Sequence, residues 1–511
     1  MSIELTNTEI GSTQILHESF AEQGIDCDIS LPDYCPDIMR ILKCTVINSV
    51  VNSKISGDRA SVDANAKIRI AYADEKNGIY CYEQDYPYSK YAELTSACDG
   101  ATLCVEPKTE YVNCRAVSKK RIDVHGVIGV RFRVLGIKKE TVITDAAGDG
   151  IQLKRQELCL DNAVAVIAKK IQVSETEAVS ENSGEVRKII SATAAPILTE
   201  TKPVKGKILL KGEVVWRVVY CVEDSENESG CVSFSLPFSE IAEAENAAEG
   251  CRISVNFNVE QATAEPKADN DGEYRYLNLS CDICALVTVY LSSSAAVVTD
   301  AYSTCKQLEA KYGNVTFTRA LQGLNDSFVC RAGLDLSSMS PQRIYAVMPE
   351  APQARCFFDD GKLLVKGRVP VKLILIDSEG TPVFCEREAD FEYSRSVDCS
   401  CSEIRCEPQL FVSGCSCTLA TDGSAEFKAE ISINACLLEV TEKRVLLQLK
   451  TVEGAPIEKK HSAVVICFCN GGEKVWDIAR KYNTTVEDIM SENELGSEEI
   501  SEKMMLVIPV K

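Results

Sequence analysis

A chain that repeats itself at a fixed interval must fold as a series of equivalent units, and this chain does so twice over. The segment at 205–218, with Gly206, Lys207, Gly212, Val214 and Trp216, returns at 360–373 with Gly361, Lys362, Gly367, Val369 and Val371, and Gly212 and Gly367 stand 155 residues apart. Val142-Ile143-Thr144-Asp145-Ala146 and Val297-Val298-Thr299-Asp300-Ala301 repeat at the same interval of 155. A weaker copy of the first landmark lies at Ala64–Tyr72. Two landmarks with one period imply three units.

Within the units, apolar and polar residues alternate. Val214, Trp216, Val218 and Tyr220 fall on one face and Glu213 and Arg217 on the other. Val369, Val371, Leu373 and Leu375 repeat the pattern against Arg368 and Lys372. Period two marks half-buried antiparallel strands. Asp271-Gly272, Asp377-Ser378-Glu379-Gly380 and Asp422-Gly423 are placed for hairpin turns. Gly212 and Gly367, inside strands, predict a bulge or a close backbone approach. Each unit opens on a stretch that reads as a helical turn or two, at Pro36–Leu42, Gly184–Ile190 and Pro341–Val347; Pro36 and Pro341 suit a first helical position. The expected fold class is mainly β, with three tandem β-rich repeats at 1–160, 161–310 and 311–456 and a small C-terminal module at 464–511.

That module has a different grammar. A short apolar run, Val464–Cys469, stops at Asn470-Gly471-Gly472. Val475, Ile478, Ala479 and Tyr482 then recur at helical spacing, and Thr485 is placed to cap a second helix with Asp488 three residues on. A final apolar run, Met504–Ile508, closes at Pro509, giving strand, helix, helix, strand. Gly472-Glu473, Trp476-Asp477-Ile478-Ala479, Tyr482-Asn483-Thr484-Thr485, Ile489, Glu492-Asn493 and Leu506-Val507-Ile508-Pro509 together make the module resemble a LysM domain, the βααβ fold best known for binding N-acetylglucosamine chains of peptidoglycan and chitin. The resemblance implies a binding rim at Gly472, Glu473 and Lys474 on one side and Asn493, Glu494, Leu495 and Gly496 on the other. Lys474 departs from the Thr or Ser usual there, and its long cationic side chain suits a protein partner at least as well as a neutral sugar. Trp476 reads either as a core residue or as an exposed anchor.

The opening Leu31-Pro32-Asp33-Tyr34-Cys35-Pro36-Asp37, the repeated Lys-Gly strand, Pro237-Phe238-Ser239-Glu240 and Thr299-Asp300-Ala301-Tyr302 are similar to the SPOCS domain of spore-forming bacteria. Three SPOCS-like units followed by a LysM domain resemble the SipL family of spore-coat morphogenetic factors. The third unit, Cys-rich and without a Thr-Asp-Ala ending, matches least well. This resemblance implies a mother-cell adaptor at the forespore surface that docks a coat-basement morphogenetic ATPase and helps the coat encase the forespore. It implies neither catalysis nor a cofactor.

The remaining composition narrows the classes. A net charge of −21 argues against nucleic acid and anionic membrane surfaces as primary partners. No run reaches the roughly twenty apolar residues of a membrane span, and the opening MSIELTNTEIGSTQ has neither a basic nor an apolar leader region, so the expected address is the cytoplasm. The 25 cysteines, odd in number, are then expected as free thiols. Cys399, Cys401, Cys406, Cys415 and Cys417 come nearest to a metal site or a crosslinking cluster, but Cys-x-Cys also suits small buried strand residues. Cys281 and Cys284 have zinc-like spacing without a second pair. Three histidines (His17, His125 and His461) leave few general bases, and there is no P-loop, Gly-x-Ser-x-Gly or dinucleotide fingerprint. The expected function is a non-enzymatic scaffold; the alternatives are a peptidoglycan-binding LysM protein and a LysM-targeted wall hydrolase.

Overall fold

The computed structural model describes residues 3–95, 98, 100–180, 183–222, 228–321, 323–398, 403–456 and 464–509. The first repeat contains β1 (Glu4–Ser30), β2 (Arg40–Ser56), β3 (Arg59–Ala73), β4 (Ile79–Glu93), β5 (Thr102–Ser118) and β6 (Arg121–Ala147). The second repeats the set as β7 (Ile151–Ala178), β8 (Val186–Val204), β9 (Lys207–Val222), β10 (Ser229–Glu243), β11 (Arg252–Lys267) and β12 (Tyr276–Ser303). Each is a sandwich of two antiparallel three-stranded sheets, β2-β3-β4 over β1-β6-β5 and β8-β9-β10 over β7-β12-β11. Turns at 148–150 and 304–305 separate the repeats, so the expected limits at 160 and 310 fall inside strands.

The third repeat is a broken version of this plan. It comprises β13 (Lys306–Ala320), β14 (Leu324–Asp335), β15 (Pro341–Pro349), β16 (Gln353–Asp359), β17 (Lys362–Asp377), β18 (Pro382–Ser396), β19 (Ile404–Cys406), β20 (Gln409–Leu419), β21 (Ser424–Ala435) and β22 (Leu437–Pro456). The long outer strands, unbroken over 27 and 28 residues in the earlier repeats, are here divided into β13/β14 and β21/β22. β15 and β16 lie end to end along one edge of β17.

The alternating residues build the sandwich cores. Val214, Trp216, Val218 and Tyr220 are fully buried on β9, and Val369, Val371, Leu373 and Leu375 take the same places on β17. Each large apolar side chain contributes about 1.5–3 kcal/mol on burial. The two strand glycines mark a close approach. Gly212 lies opposite Phe238 and Gly367 opposite Phe391, and a Cβ on either glycine would come within 2.5 and 2.8 Å of the facing ring. The expected hairpin turns form, with Gly272, Gly380 and Gly423 at positive φ.

None of the openings read as helical turns is helical: Pro36–Met39 and Gly184-Glu185 are irregular, while Arg40–Leu42, Val186–Ile190 and Pro341–Val347 are strand. β2, β8 and β15 each carry a bulge, at Leu42, Ile190 and Tyr345, where the register against the neighbouring strand slips by one residue. A bulge lets consecutive apolar residues point inward, which imitates helical spacing in the sequence. These three bulged residues meet Ala71, Ala73, Val219, Cys221, Ile374 and Ile376 in one core shared by all three repeats. Arg69 and Arg217, the latter on a face read as polar, donate across this junction to the carbonyls of Ile190 (3.1 Å) and Val347 (2.7 Å) in the next repeat.

A second junction lies at the other end. β5 pairs with β6 only as far as Leu135, and β11 with β12 only as far as Tyr290. Beyond those points β1–β6 and β7–β12 continue as two-stranded ribbons, matched by β13–β22 in the third repeat. Val142, Val297 and Val445 share one core between the ribbons, and Ile143, Val298 and Leu446 share another. The Val-Ile/Val-Thr-Asp-Ala landmark therefore has consecutive apolar residues because both ribbon faces are covered.

The C-terminal module consists of β23 (Val464–Cys469), α1 (Val475–Tyr482), α2 (Val486–Glu492) and β24 (Met504–Pro509), with β23 and β24 antiparallel. Thr485 caps α2 by accepting from the Asp488 N–H at 3.0 Å. Asn483, in the left-handed conformation, ends α1.

Candidate functional site

The described residues contain one place where the module and the repeats are joined by buried polar contacts: the end of β12, at the Thr299-Asp300-Ala301-Tyr302 motif. Asp300 accepts from its own neighbour, the Ala301 N–H (2.9 Å), and from the hydroxyl of Tyr312 on β13 (2.7 Å). From α1 it accepts the Trp476 indole N–H and an Arg480 guanidinium N–H, each at 2.8 Å. Burial works to raise the Asp300 carboxyl, but the donors Trp476 and Tyr312 and the Arg480 charge outweigh it and hold the group below the usual carboxylate range. Tyr302 stands edge-on to Trp476, ring centroids 5.0 Å apart, and its hydroxyl donates to the Thr484 carbonyl at 2.7 Å. Tyr302 is thereby part of the module's own core, with Val475, Ile478, Ile489, Leu506 and Ile508. Beside this contact an open cleft of about 550 Å³ runs between α1 and the ribbons, lined by Tyr302, Lys306, Tyr312, Arg480 and Asn483.

Trp476 is accordingly a core and docking residue, 6 % exposed. The rest of the expected rim is exposed or tied into the module. Gly472, Glu473 and Lys474 are exposed, with Gly472 at φ +90°. Their backbone is laced to 498–500: Gly472 N–H to Ile500 O (2.7 Å), Ile500 N–H to Glu473 O (3.0 Å) and Val475 N–H to Glu498 O (2.9 Å), with Lys474 bridged to Glu499. The lip facing Lys474 is therefore Glu498-Glu499, a pair the sequence reading passed over because it lies in no helix or strand. Asn493 spends its side chain on the backbone, donating to Ile489 O (2.8 Å) and Val507 O (2.7 Å) and accepting from Val507 N–H (2.7 Å). Leu495 is half-buried against the module core, while Glu494 and Gly496 are exposed. The accessible rim is thus Gly472, Glu473, Lys474, Glu494, Gly496, Glu498 and Glu499, predominantly acidic with a single lysine.

Other candidate sites resolve differently. Cys281 and Cys284, three apart on β12, fall on opposite strand faces and cannot share an ion. Cys415 and Cys417 pack against the third repeat's core, Cys406 lies beside Cys356, and Cys399 and Cys401 fall outside the described residues, as does His461. Every cysteine in the described residues is a free thiol. The group with metal-ligand spacing among them is Asp26, Asp123 and His125, at the surface, where His125 Nδ1 lies 3.3 Å from Asp26 and Nε2 3.2 Å from Asp123.

Comparison with known families fits this geometry. The SipL SPOCS-domain profile matches residues 37–117 and 185–267, and the LysM-domain profile matches 472–509. The two SPOCS matches span β2–β5 and β8–β11, the same four strands of successive sandwiches. The chain carries two SPOCS domains and a C-terminal LysM domain. No curated protein and no solved structure matches it. The SPOCS–LysM combination marks a sporulation-related LysM protein. Its third repeat shares the strand plan of the SPOCS domains without a match of its own, and no described helix is long and apolar enough to cross a membrane.

Proposed function

We propose that this SPOCS–LysM protein is a non-enzymatic sporulation adaptor of the mother-cell cytoplasm. Its LysM domain docks a coat-basement morphogenetic ATPase at the forespore surface, and the repeats link that contact to the growing coat. The observation that carries this reading is the division of the LysM surface. Trp476 and Arg480 are committed to Asp300, which orients the domain on the repeats, while the Glu473–Lys474 and Glu498–Glu499 lips stay exposed. A charged rim offers ion pairs and hydrogen bonds to a protein, whereas a neutral N-acetylglucosamine chain gains little from it.

The second reading, a peptidoglycan-binding protein, rests on the LysM match itself. One pair of assays separates the two. The full-length protein is expected to bind the ATPase and to stay in the supernatant with purified peptidoglycan. Lys474→Glu, at an exposed position, should leave the fold intact and weaken ATPase binding about 5- to 50-fold, as loss of one interfacial charge contact does. Saturable sedimentation with peptidoglycan, together with unchanged ATPase binding by the variant, would transfer the function to glycan recognition.

A further inference from the structure

In the first and third repeats, thiols come together where strands of two different sheets meet. In the first repeat, Cys44 of β2 and Cys114 of β5 pack into the same core. In the third repeat, Cys356 of β16 lies 3.8 Å, Sγ to Sγ, from Cys406 of β19. Cys356 is inward-facing, opposite the fully buried Val365, and Cys406 is opposite Leu437. The two thiols are half-buried at the margin of the third repeat's core, so small reagents can reach them.

Two other thiol pairs mark the contrast. Cys81 and Cys221 also lie in one core, but that core is the sealed one shared by the three repeats. Cys467 and Cys469 lie 3.6 Å apart, yet they are alternate residues of one strand, where the backbone holds the two Cα atoms near the upper limit a disulfide spans. Cys356 and Cys406 come from different sheets and need only a closure of the existing contact.

We propose that Cys356 and Cys406 are an oxidation site, closing to a disulfide that clamps the β15–β18 sheet to the β13-β22-β19 sheet when the protein meets a small-molecule disulfide. The reaction is thiol–disulfide exchange. Cys356, as its thiolate, attacks one sulfur of R–S–S–R and releases RS⁻, leaving a mixed disulfide on Cys356. Cys406, deprotonated in turn, attacks the Cys356 sulfur and expels the second RS⁻. Two protein thiols lose two electrons and two protons; the reagent gains both and leaves as two RSH. The neighbouring Cys406 thiol lowers the Cys356 thiol below its ordinary range, which suits Cys356 to the first attack.

The third repeat is where such a clamp has most to add. Its outer strands are interrupted, β19 pairs with β22 over only Ile404–Cys406, and the crosslink would close a loop of 50 residues. Closing a loop of that size restrains the unfolded chain strongly.

The test uses the full-length protein, reduced and then treated with oxidised glutathione at pH 8, followed by peptide mapping without reductant and a thermal scan. The expected map shows the peptides of Cys356 and Cys406 joined, with Cys81 and Cys221 still free. The oxidised protein should unfold about 5–10 °C higher than the reduced protein, and Cys356→Ser should abolish that shift. Because the map is made on the unaltered chain, it decides the matter even if the variant folds poorly. Stable glutathione adducts on Cys356 or Cys406, pairing of Cys406 with Cys399, Cys401 or Cys436, or stoichiometric zinc released by thiol modification would each overturn the proposal.

Discussion

The same three residues, Thr-Asp-Ala, end the ribbon strands of the first two repeats and do different work. Asp145 caps its own next residue, accepting the Ala146 N–H at 2.8 Å, just as Asp300 caps Ala301 at 2.9 Å. Each aspartate also reaches the strand that follows: Asp145 meets Arg155 of β7, and Asp300 meets Tyr312 of β13. Asp300 alone gains a third set of partners, Trp476 and Arg480 of the LysM domain. Tyr302 completes that dock, and the first repeat has Ala147 in its place. The third repeat has Gln448 where the others have aspartate. A turn motif that closes each ribbon has become, in one copy only, the seat of a separate domain. The difference lies in one neighbouring side chain and in what the distant C-terminus supplies.

The largest test removes what Asp300 holds. Trp476→Ala empties a site shared by the LysM core and the dock, and should cost about 3–5 kcal/mol. The LysM module should then unfold on its own. Calorimetry should show a separate low-temperature transition, and amide exchange in 475–492 should become fast while the repeats stay protected. A module that remains protected would mean the indole is a surface anchor after all.

Next comes the contrast between the two aspartates. Asp300→Ala leaves the Trp476 N–H, the Tyr312 hydroxyl and Arg480 without their acceptor, a loss of about 2–4 kcal/mol in docking. Asp145→Ala removes an exposed ion pair and one turn bond and should cost about 1 kcal/mol or less. Tryptophan fluorescence reads this directly, since the other indole, Trp216, is fully buried in the second repeat. A red shift is expected in the Asp300 variant and none in the Asp145 variant. Equal responses would erase the distinction.

The smallest effect is on pH. Both carboxyls are held below their ordinary range, Asp145 by the Arg155 hydrogen bond and the Ala146 N–H, Asp300 by Trp476, Tyr312 and Arg480 against the pull of burial. A depressed carboxyl contributes stability that is fully present above the unfolded value of about 3.9 and fades as pH falls through the folded value. Docking should therefore be flat from pH 5 to 8 and weaken only below about pH 4. Loss of the Trp476 signal at pH 5–6 would require a different titrating group.

Much of this architecture was legible from residues alone. Period-two alternation at Val214–Tyr220 and Val369–Leu375 follows directly from the geometry of a strand with one buried face, so it announces itself locally. The interval of 155 is a property of the text and needs no coordinates. The βααβ module is short, with its caps and turns adjacent in sequence, and its exposed lysine at 474 was equally visible. The openings at Pro36–Leu42, Gly184–Ile190 and Pro341–Val347 were misleading because a bulge and a helical turn put apolar residues at similar spacing. Which one forms depends on the strand alongside, β3, β9 or β17, and no window of sequence contains it.

The unit is written in the residues: strands that alternate, turns that carry glycine, a repeat that returns, and a distinct module at the end. How the units use one another emerges only from the folded chain. Leu42, Ile190 and Tyr345 meet across three repeats, Asp300 finds Trp476 176 residues away, and Cys356 finds Cys406 across a sheet boundary. Local patterns arise from the geometry of a single element, which each residue feels at once. Contacts between elements depend on where the whole chain brings them, and a carboxylate, a bulge or a thiol looks the same in the sequence whether or not its partner arrives.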